Sequence, residues 1–268
     1  MSTKTLIPRV VPPVSVRWRG RYLIERNYMS TKSFWPVIAS GFFEPLFYLF
    51  AIGIGVGALV GDIVAPNGTA YSYTAFVAPA LLASSAMNGA VFESTNMFFK
   101  LKYGQTYDGI LATPMKPVDV ASGEIAWSLI RGATYSAIFL LVMAAMGLIE
   151  SWWGILALPA AILIGFAFAA VGTAAATYMR SWQDLDLVSL VTLPLFLFSA
   201  TFYPLEVYPP FMQQLAKLSP LYHGTELLRA FSFGVFDWTL VGHIAFLLVM
   251  GLVGSVIASR RLDGLLRT

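Results

Sequence analysis

Six stretches of this 268-residue chain are apolar for long enough to cross a lipid bilayer, and they leave little sequence for anything else. They fall at about 33–60, 72–97, 119–148, 153–179, 185–203 and 237–259, where a hydrocarbon core asks for about 20 apolar residues per helix. Inside lipid every backbone N–H and C=O needs an internal partner, so runs of this kind span as helices. The expected fold class is therefore an all-α membrane protein with six transmembrane helices in a single domain over 1–268. Composition points the same way, because 57% hydrophobic and 12% charged residues with a mean hydropathy of +0.72 do not make a soluble surface. With no cysteine, the chain has no disulfide, thiolate metal site or cysteine nucleophile.

Charge placement sets the orientation. Lys4, Arg9, Arg17, Arg19, Arg21, Arg26 and Lys32 precede the first run, Lys100, Lys102 and Lys116 follow the second, Arg180 follows the fourth, and Arg260, Arg261 and Arg267 follow the last. All of these belong on one side of a six-span chain, whereas only Lys217 and Arg229 fall on the other and Arg131 lies within a span. The positive-inside rule puts both termini in the cytoplasm. The early basic residues also interrupt any apolar core of a signal peptide, so the N-terminus is expected to stay uncleaved. Residues 13–30 carry Val14, Trp18, Tyr22 and Met29 on one helical stripe beside Arg19, Arg21 and Arg26. That pattern suits an interfacial helix in the headgroup layer, or simply a basic flank of the first span. Trp152 and Trp153 fit an outer interfacial belt, and 204–236, broken by Pro204, Pro209, Pro210 and Pro220, is expected to dip into the outer half of the membrane and return.

The principal polar interruption is Phe98 to Glu124. Gly104 to Thr106 form a breaker, Tyr107 to Ala112 make one or two helical turns, and Thr113-Pro114 stops them. Pro117, with Asp119 as N-cap, restarts a helix. The product is a short helix at 103–114 held between two long ones, with Ile110 and Leu111 exposed. It is either a solvated loop or a docking element, since exposed aliphatics on a short helix suit a partner's groove.

Chemistry is sparse. Gly53-Ile-Gly-Val-Gly-Ala has no preceding strand, so Gly53, Gly57 and Gly61 are read as a close-packing helix face and not as a dinucleotide site. Phosphate-loop, zinc-protease and nucleophile-elbow motifs do not occur, and His223 and His243 are not spaced as ligands, so an enzyme is not expected. The ionisable groups in apolar runs are Glu44, Glu93, Glu124 and Arg131. Glu93 and Glu124, near inner span ends, read as interfacial salt bridges or caps. Glu124 and Arg131 share a helical face, and Glu44 is expected to line a path or to pair with Arg131.

Lys102 to Pro114, Lys-Tyr-Gly-Gln-Thr-Tyr-Asp-Gly-Ile-Leu-Ala-Thr-Pro, resembles the cytoplasmic coupling-helix region of ABC-2 type transporter permeases. Ser199-Ala-Thr-Phe-Tyr-Pro-Leu, Leu218-Ser-Pro-Leu-Tyr-His223 and Glu226-Leu-Leu-Arg229 are similar to that family's stretch before its last span. The likeness runs through nearly the whole chain and is nearest to the branch of nodulation lipooligosaccharide and anthracycline export permeases. It implies the membrane subunit of an exporter in a bacterial plasma membrane, working as a homodimer with two copies of a separate ATPase that holds ATP and Mg. It implies ATPase coupling through Tyr103, Gly104, Asp108, Gly109, Ile110, Leu111 and Pro114, together with Arg17 and Arg21 of the N-terminal helix. It also implies a substrate path framed by the first and fifth spans, where Glu44, Phe47, Phe198, Phe202 and Tyr203 join Arg131 as candidates. Cargo varies within the family; apolar walls favour an amphiphile such as a lipid-linked saccharide, glycolipid or hydrophobic drug. The rival reading is an ion-coupled carrier or channel using Glu44 and Arg131. No feature points to nucleic acid.

Overall fold

A computed structural model describes residues 18–32, 43–64, 69–104 and 106–266. In order these form α1 (Gly20–Thr31), α2 (Phe43–Val60), a two-stranded antiparallel hairpin of β1 (Asp62–Val64) and β2 (Ala70–Ser72), α3 (Tyr73–Lys102), α4 (Thr106–Leu111) and α5 (Pro117–Ala145). A 3-10 turn at Trp152–Leu156 leads into α6 (Ala157–Ala176), followed by α7 (Asp184–Phe198), α8 (Pro210–Leu218), α9 (Pro220–Phe233) and α10 (Thr239–Leu266).

The helix α3 lies at the centre because its sequence lets neighbours approach on every side. Ser72 caps it by accepting from the Ala75 N–H at 3.2 Å, and Ala78, Ala83, Ser85, Ala86, Gly89 and Ala90 are all buried. A Cβ on Gly89 would stand 3.0 Å from the Gly132 Cα, so α3 and α5 touch almost backbone to backbone. The main core joins α3 to α5, α6, α9 and α10, and a smaller one at the opposite end from the hairpin gathers Leu23, Met97, Phe98, Tyr107, Val120, Met179 and Leu262.

Among the described residues five helices are long and apolar enough to cross a membrane: Phe43–Val60, Tyr73–Lys102, Pro117–Ala145, Trp152–Ala176 and Thr239–Leu266. The expected span at 185–203 is helical only over the 15 residues of α7, about 22 Å at 1.5 Å per residue, against about 30 Å of hydrocarbon. Its helix stops because the chain turns at Ser199 and Ala200, where Ala200 adopts φ 55, and Ser199 to Phe202 are buried in the protein instead of continuing the helix.

The 204–236 segment holds a 3-10 turn at Leu205–Val207, then α8 and α9, each opened by a proline in its first turn. Helix α9 buries Leu221, Gly224, Leu227, Leu228 and Arg229 and ends at Gly234 in the left-handed conformation. Its Arg229 donates to the carbonyls of Ala200 at 2.6 Å, Thr201 at 3.3 Å and Phe76 at 3.3 Å, and to Glu226 Oε1 at 2.9 Å. The guanidinium also lies 3.8 Å from the centre of the Phe76 ring.

Two local expectations change. Asp119 is the third helical residue of α5 and not its N-cap; it accepts from the Lys116 N–H at 3.0 Å, closing the first turn from inside. Leu49–Val56 of α2 is π-helical, and Gly53 and Gly57 seat against Thr74, whose hydroxyl donates to the Gly53 carbonyl at 2.6 Å. Gly61 does not join that face, because at φ 75 it makes the turn into β1 with open space around it. In α1 the buried side is Leu23 and Asn27, while Trp18, Tyr22 and Met29 of the predicted stripe are exposed; residues 13–17 lie outside the described residues.

Candidate functional site

Beneath the short helix α4, four elements send polar side chains into one buried cluster. Helices α3 and α5 run side by side, so Glu93 and Lys100 of α3 face Glu124, Trp127 and Arg131 of α5. Glu124 is 1% exposed and takes a donor from each of three other elements. Lys100 Nζ of α3 lies at 2.7 Å and Asn27 Nδ2 of α1 at 3.2 Å from its Oε2, and the Tyr107 hydroxyl of α4 at 3.0 Å from its Oε1. Glu93 pairs with Arg131 and accepts from Trp127 Nε1 at 2.8 Å. Lys100 stands 3.8 Å from Glu93, tying the two carboxylates together. Arg131 in turn donates to the Tyr135 hydroxyl at 2.9 Å and lies over the Phe92 ring at 4.9 Å.

Two carboxylates and two cations leave the cluster with no net charge, which is the condition for keeping such groups away from water. Burial and the Glu124 carboxylate push the Tyr107 phenol well above its usual pKa, so its hydroxyl stays a proton donor. The cluster's polar groups are committed to one another. It fixes the position of a short exposed-side helix relative to α1, α3 and α5. Among the described residues no group of three or more His, Asp or Glu is placed to hold a metal ion.

Of the residues singled out for coupling, Tyr103 is 63% exposed with its ring edge-on to Phe98, and Gly104 closes the end of α3 by donating to the Phe99 carbonyl at 2.9 Å. Gly109 faces open space, and the exposed Pro114 offers its carbonyl to Arg19. Arg21 is exposed and donates to the Tyr22 hydroxyl at 2.8 Å. Ile110 is half-buried against the small core and not exposed as expected, because α4 lies down on Met97, Phe98 and Val120. Arg17 and the side chains of Asp108 and Leu111 lie outside the described residues.

The path candidates do not gather in one place. Arg131 is paired with Glu93 and not with Glu44, since Glu93 lies on the neighbouring helix directly across from it. Glu44 is exposed and lines a cavity of about 550 Å3 with Asn88, Phe92 and Thr95 of α3 and Phe196 of α7. Phe47 stacks on Phe43 at 6.0 Å and is exposed, as are Phe198 and Tyr203, whereas Phe202 is buried edge-on to Phe196. Sequence reasoning noticed Glu93 and Glu124 but missed Asn27, Lys100, Tyr107 and Trp127 as their partners. The one usable signal was Tyr107, an aromatic with a hydroxyl at the start of a short helix otherwise expected to be solvated.

Five long apolar helices among the described residues, four of them around the central α3, define a multi-pass membrane protein. The chain belongs to the ABC-2 type transporter family, whose sequence model matches residues 20–233. It is similar to nodulation protein J of Rhizobium leguminosarum bv. trifolii, 33% identical over 228 residues that cover 84% of each chain. Nodulation protein J of Rhizobium leguminosarum bv. viciae is 31% identical over 260 residues, 94% of this chain and 97% of the relative. The inner membrane transport permease YadH of Escherichia coli strain K12 is 26% identical over 208 residues, 75% of this chain and 77% of the relative. The protein is thus a membrane permease of the ABC exporter type, and permeases of this family work with ATPase subunits.

Proposed function

We propose that this chain is the membrane half of an ATP-driven exporter, assembled as a homodimer with two copies of a separate ATPase in a bacterial plasma membrane. Both termini face the cytoplasm, and α7 with the buried turn after it serves as a sixth crossing. The observation that carries the reading is Glu124, held at once by α1, α3 and α4. Force applied to α4 or α1 from the cytoplasm reaches α3 and α5 through hydrogen-bonded side chains as well as through the chain itself. The residues from Tyr103 to Pro114 and Arg17 and Arg21 of the N-terminal helix form the surface that meets the ATPase, where ATP and Mg are bound. Cargo is an amphiphile, a lipid-linked saccharide, glycolipid or hydrophobic drug, moved out of the inner leaflet along a route that includes Glu44 and the aromatic ends of α2 and α7.

Replacing Asp108 and Ile110 together by alanine tests this, with Gly109→Pro as the harsher variant because it removes a helix N–H. The permease should insert and dimerise, while copurified ATPase falls or ATP turnover separates from export in the same membranes. Unchanged stoichiometry, turnover and export in both variants would remove the coupling role. Export that follows an ion gradient without ATP would replace the reading with a secondary carrier.

A further inference from the structure

A second cavity, of about 840 Å3, adjoins the one that Glu44 lines, the two sharing Val91 and Thr95 of α3 and Val188 and Thr192 of α7. Its walls come from α3, α6, α7 and α10, with Val91, Phe168, Val171, Leu187, Val191 and Met250 among them. It exists because α7 stands away from the bundle: Phe196 is its only buried residue among those described, and the residues facing α6 do not close the gap. In size it matches a site for a small molecule, about 300–1,000 Å3. Thr95 and Thr192 are the only uncharged hydroxyls of threonine on its walls, and both lie among apolar neighbours. In a bilayer such a groove opens to hydrocarbon.

One end differs. Arg180, Tyr178 and Asp184 line the groove there, at the end of the molecule where α4 and the small core lie, since Met179 belongs to both. Arg261 of α10 stacks on the Tyr178 ring at 4.1 Å, and its Nε is buried without a hydrogen-bond partner. Asp184 is the only acid on the wall; its carboxylate accepts from the backbone N–H groups of Arg180 at 2.6 Å and Ser181 at 3.2 Å. Those bonds hold its pKa below the ordinary aspartate value, so it stays ionised and turned toward its own turn. One guanidinium, Arg180, therefore lines that end of the apolar groove, and a second, Arg261 with its buried unused donor, lies against the Tyr178 ring of the same wall. A guanidinium fork suits a phosphate oxygen pair, and an apolar groove suits an acyl chain.

From this we infer that the groove between α6 and α7 is a binding site for one anionic phospholipid of the leaflet on the α4 side, with its phosphate at Arg180 and Arg261 and an acyl chain along Val171, Leu187 and Val191. The site adjoins the cavity beside Glu44, with Val91, Thr95, Val188 and Thr192 on both walls, and holds a resident lipid that fills the space behind α7. It stands whether or not the exporter assignment does, because the test reads lipid occupancy and not transport.

The full-length permease, purified and placed in phosphatidylcholine nanodiscs, is given a trace of phosphatidylglycerol or phosphatidylcholine carrying a photoreactive diazirine in the acyl chain. Labelled peptides are then mapped by mass spectrometry. Peptides covering 168–180 and 184–195 should be labelled several-fold more by the anionic probe than by the zwitterionic one. Arg180→Gln with Arg261→Gln should bring the two probes to parity while the fold, judged by elution volume, is kept. Ala175→Trp, which fills the groove and leaves both arginines, should abolish labelling by both probes. Equal labelling of the native protein by the two probes would mean ordinary boundary lipid and would overturn the site. So would an anionic preference that survives the double arginine variant, or displacement of the probe by millimolar inorganic phosphate, which would mean an anion site without a lipid.

Discussion

Removing one hydroxyl, with Tyr107→Phe, should loosen the short helix without unfolding the protein. In the structure that hydroxyl is fully buried and donates to the Glu124 carboxylate at 3.0 Å. A hydrogen bond to a charged group is worth about 1.5–3 kcal/mol. Glu124 keeps Lys100 at 2.7 Å and Asn27 at 3.2 Å, so the carboxylate is not stranded and the loss should fall at the low end, about 1.5 kcal/mol. That corresponds to roughly a tenfold rise in the undocked population of α4. Amide hydrogen exchange over residues 107–111 reads that population directly, and those amides should exchange about ten times faster while those of α3 and α5 keep their rates. Tyr103→Phe is the control, because Tyr103 is 63% exposed on the same segment, and it should change nothing. A double-mutant cycle with Glu124→Gln should return an interaction of about 1–2 kcal/mol. Additive effects in that cycle, or equal exchange in the two tyrosine variants, would refute the idea that Tyr107 fastens α4 to the bundle.

Three further outcomes follow from charge and burial. Arg131→Met should cut the folded yield, because breaking a buried pair costs about 3–5 kcal/mol and Glu93 would keep only the more distant Lys100 at 3.8 Å, and adding Glu93→Gln should restore part of it; fluorescence-detected size exclusion of both variants is the measurement. Glu44→Gln should lower transport at normal expression, since an isostere removes the charge from the wall of the cavity and keeps the volume, and unchanged transport would demote Glu44 to a structural residue. Single cysteines at Ser2, Gln105 and Thr268 should resist membrane-impermeant thiol reagents in intact cells while one at Asn67 reacts, and labelling at Gln105 from outside would reverse the orientation.

Most of the long helices could be seen in the sequence because their signal is one-dimensional. The apolar run from 72 to 97 and the breakers Gly104 and Pro114 place α3 and α4 within a few residues. What escaped depends on neighbours that are distant in sequence. The run at 185–203 is apolar throughout, yet its last residues leave the helix because an arginine on α9 binds their carbonyls, and hydropathy carries no trace of that. The partner of Arg131 was sought in Glu44 because both interrupt apolar runs; relative depth along packed helices decides the pairing, and Glu93 has that depth. Tyr107 read as part of an exposed element because a short helix next to lysines is usually wet, whereas its ring closes the small core.

Arg229 has a mechanical consequence for the end of the molecule away from α4. Its guanidinium holds the last two carbonyls of the turn after α7, a carbonyl of α3 and the carboxylate of its own Glu226, so one side chain pins three chain segments at a single corner. A buried charge cannot release one of these acceptors without stranding a donor. The C-terminal end of α7 therefore cannot tilt alone: it carries α9 with it as a hinged pair, or it stays. Any widening of the two adjoining cavities along α7 must then begin at its N-terminal end, where the turn from Arg180 to Asp184 is largely exposed and held only by its own hydrogen bonds.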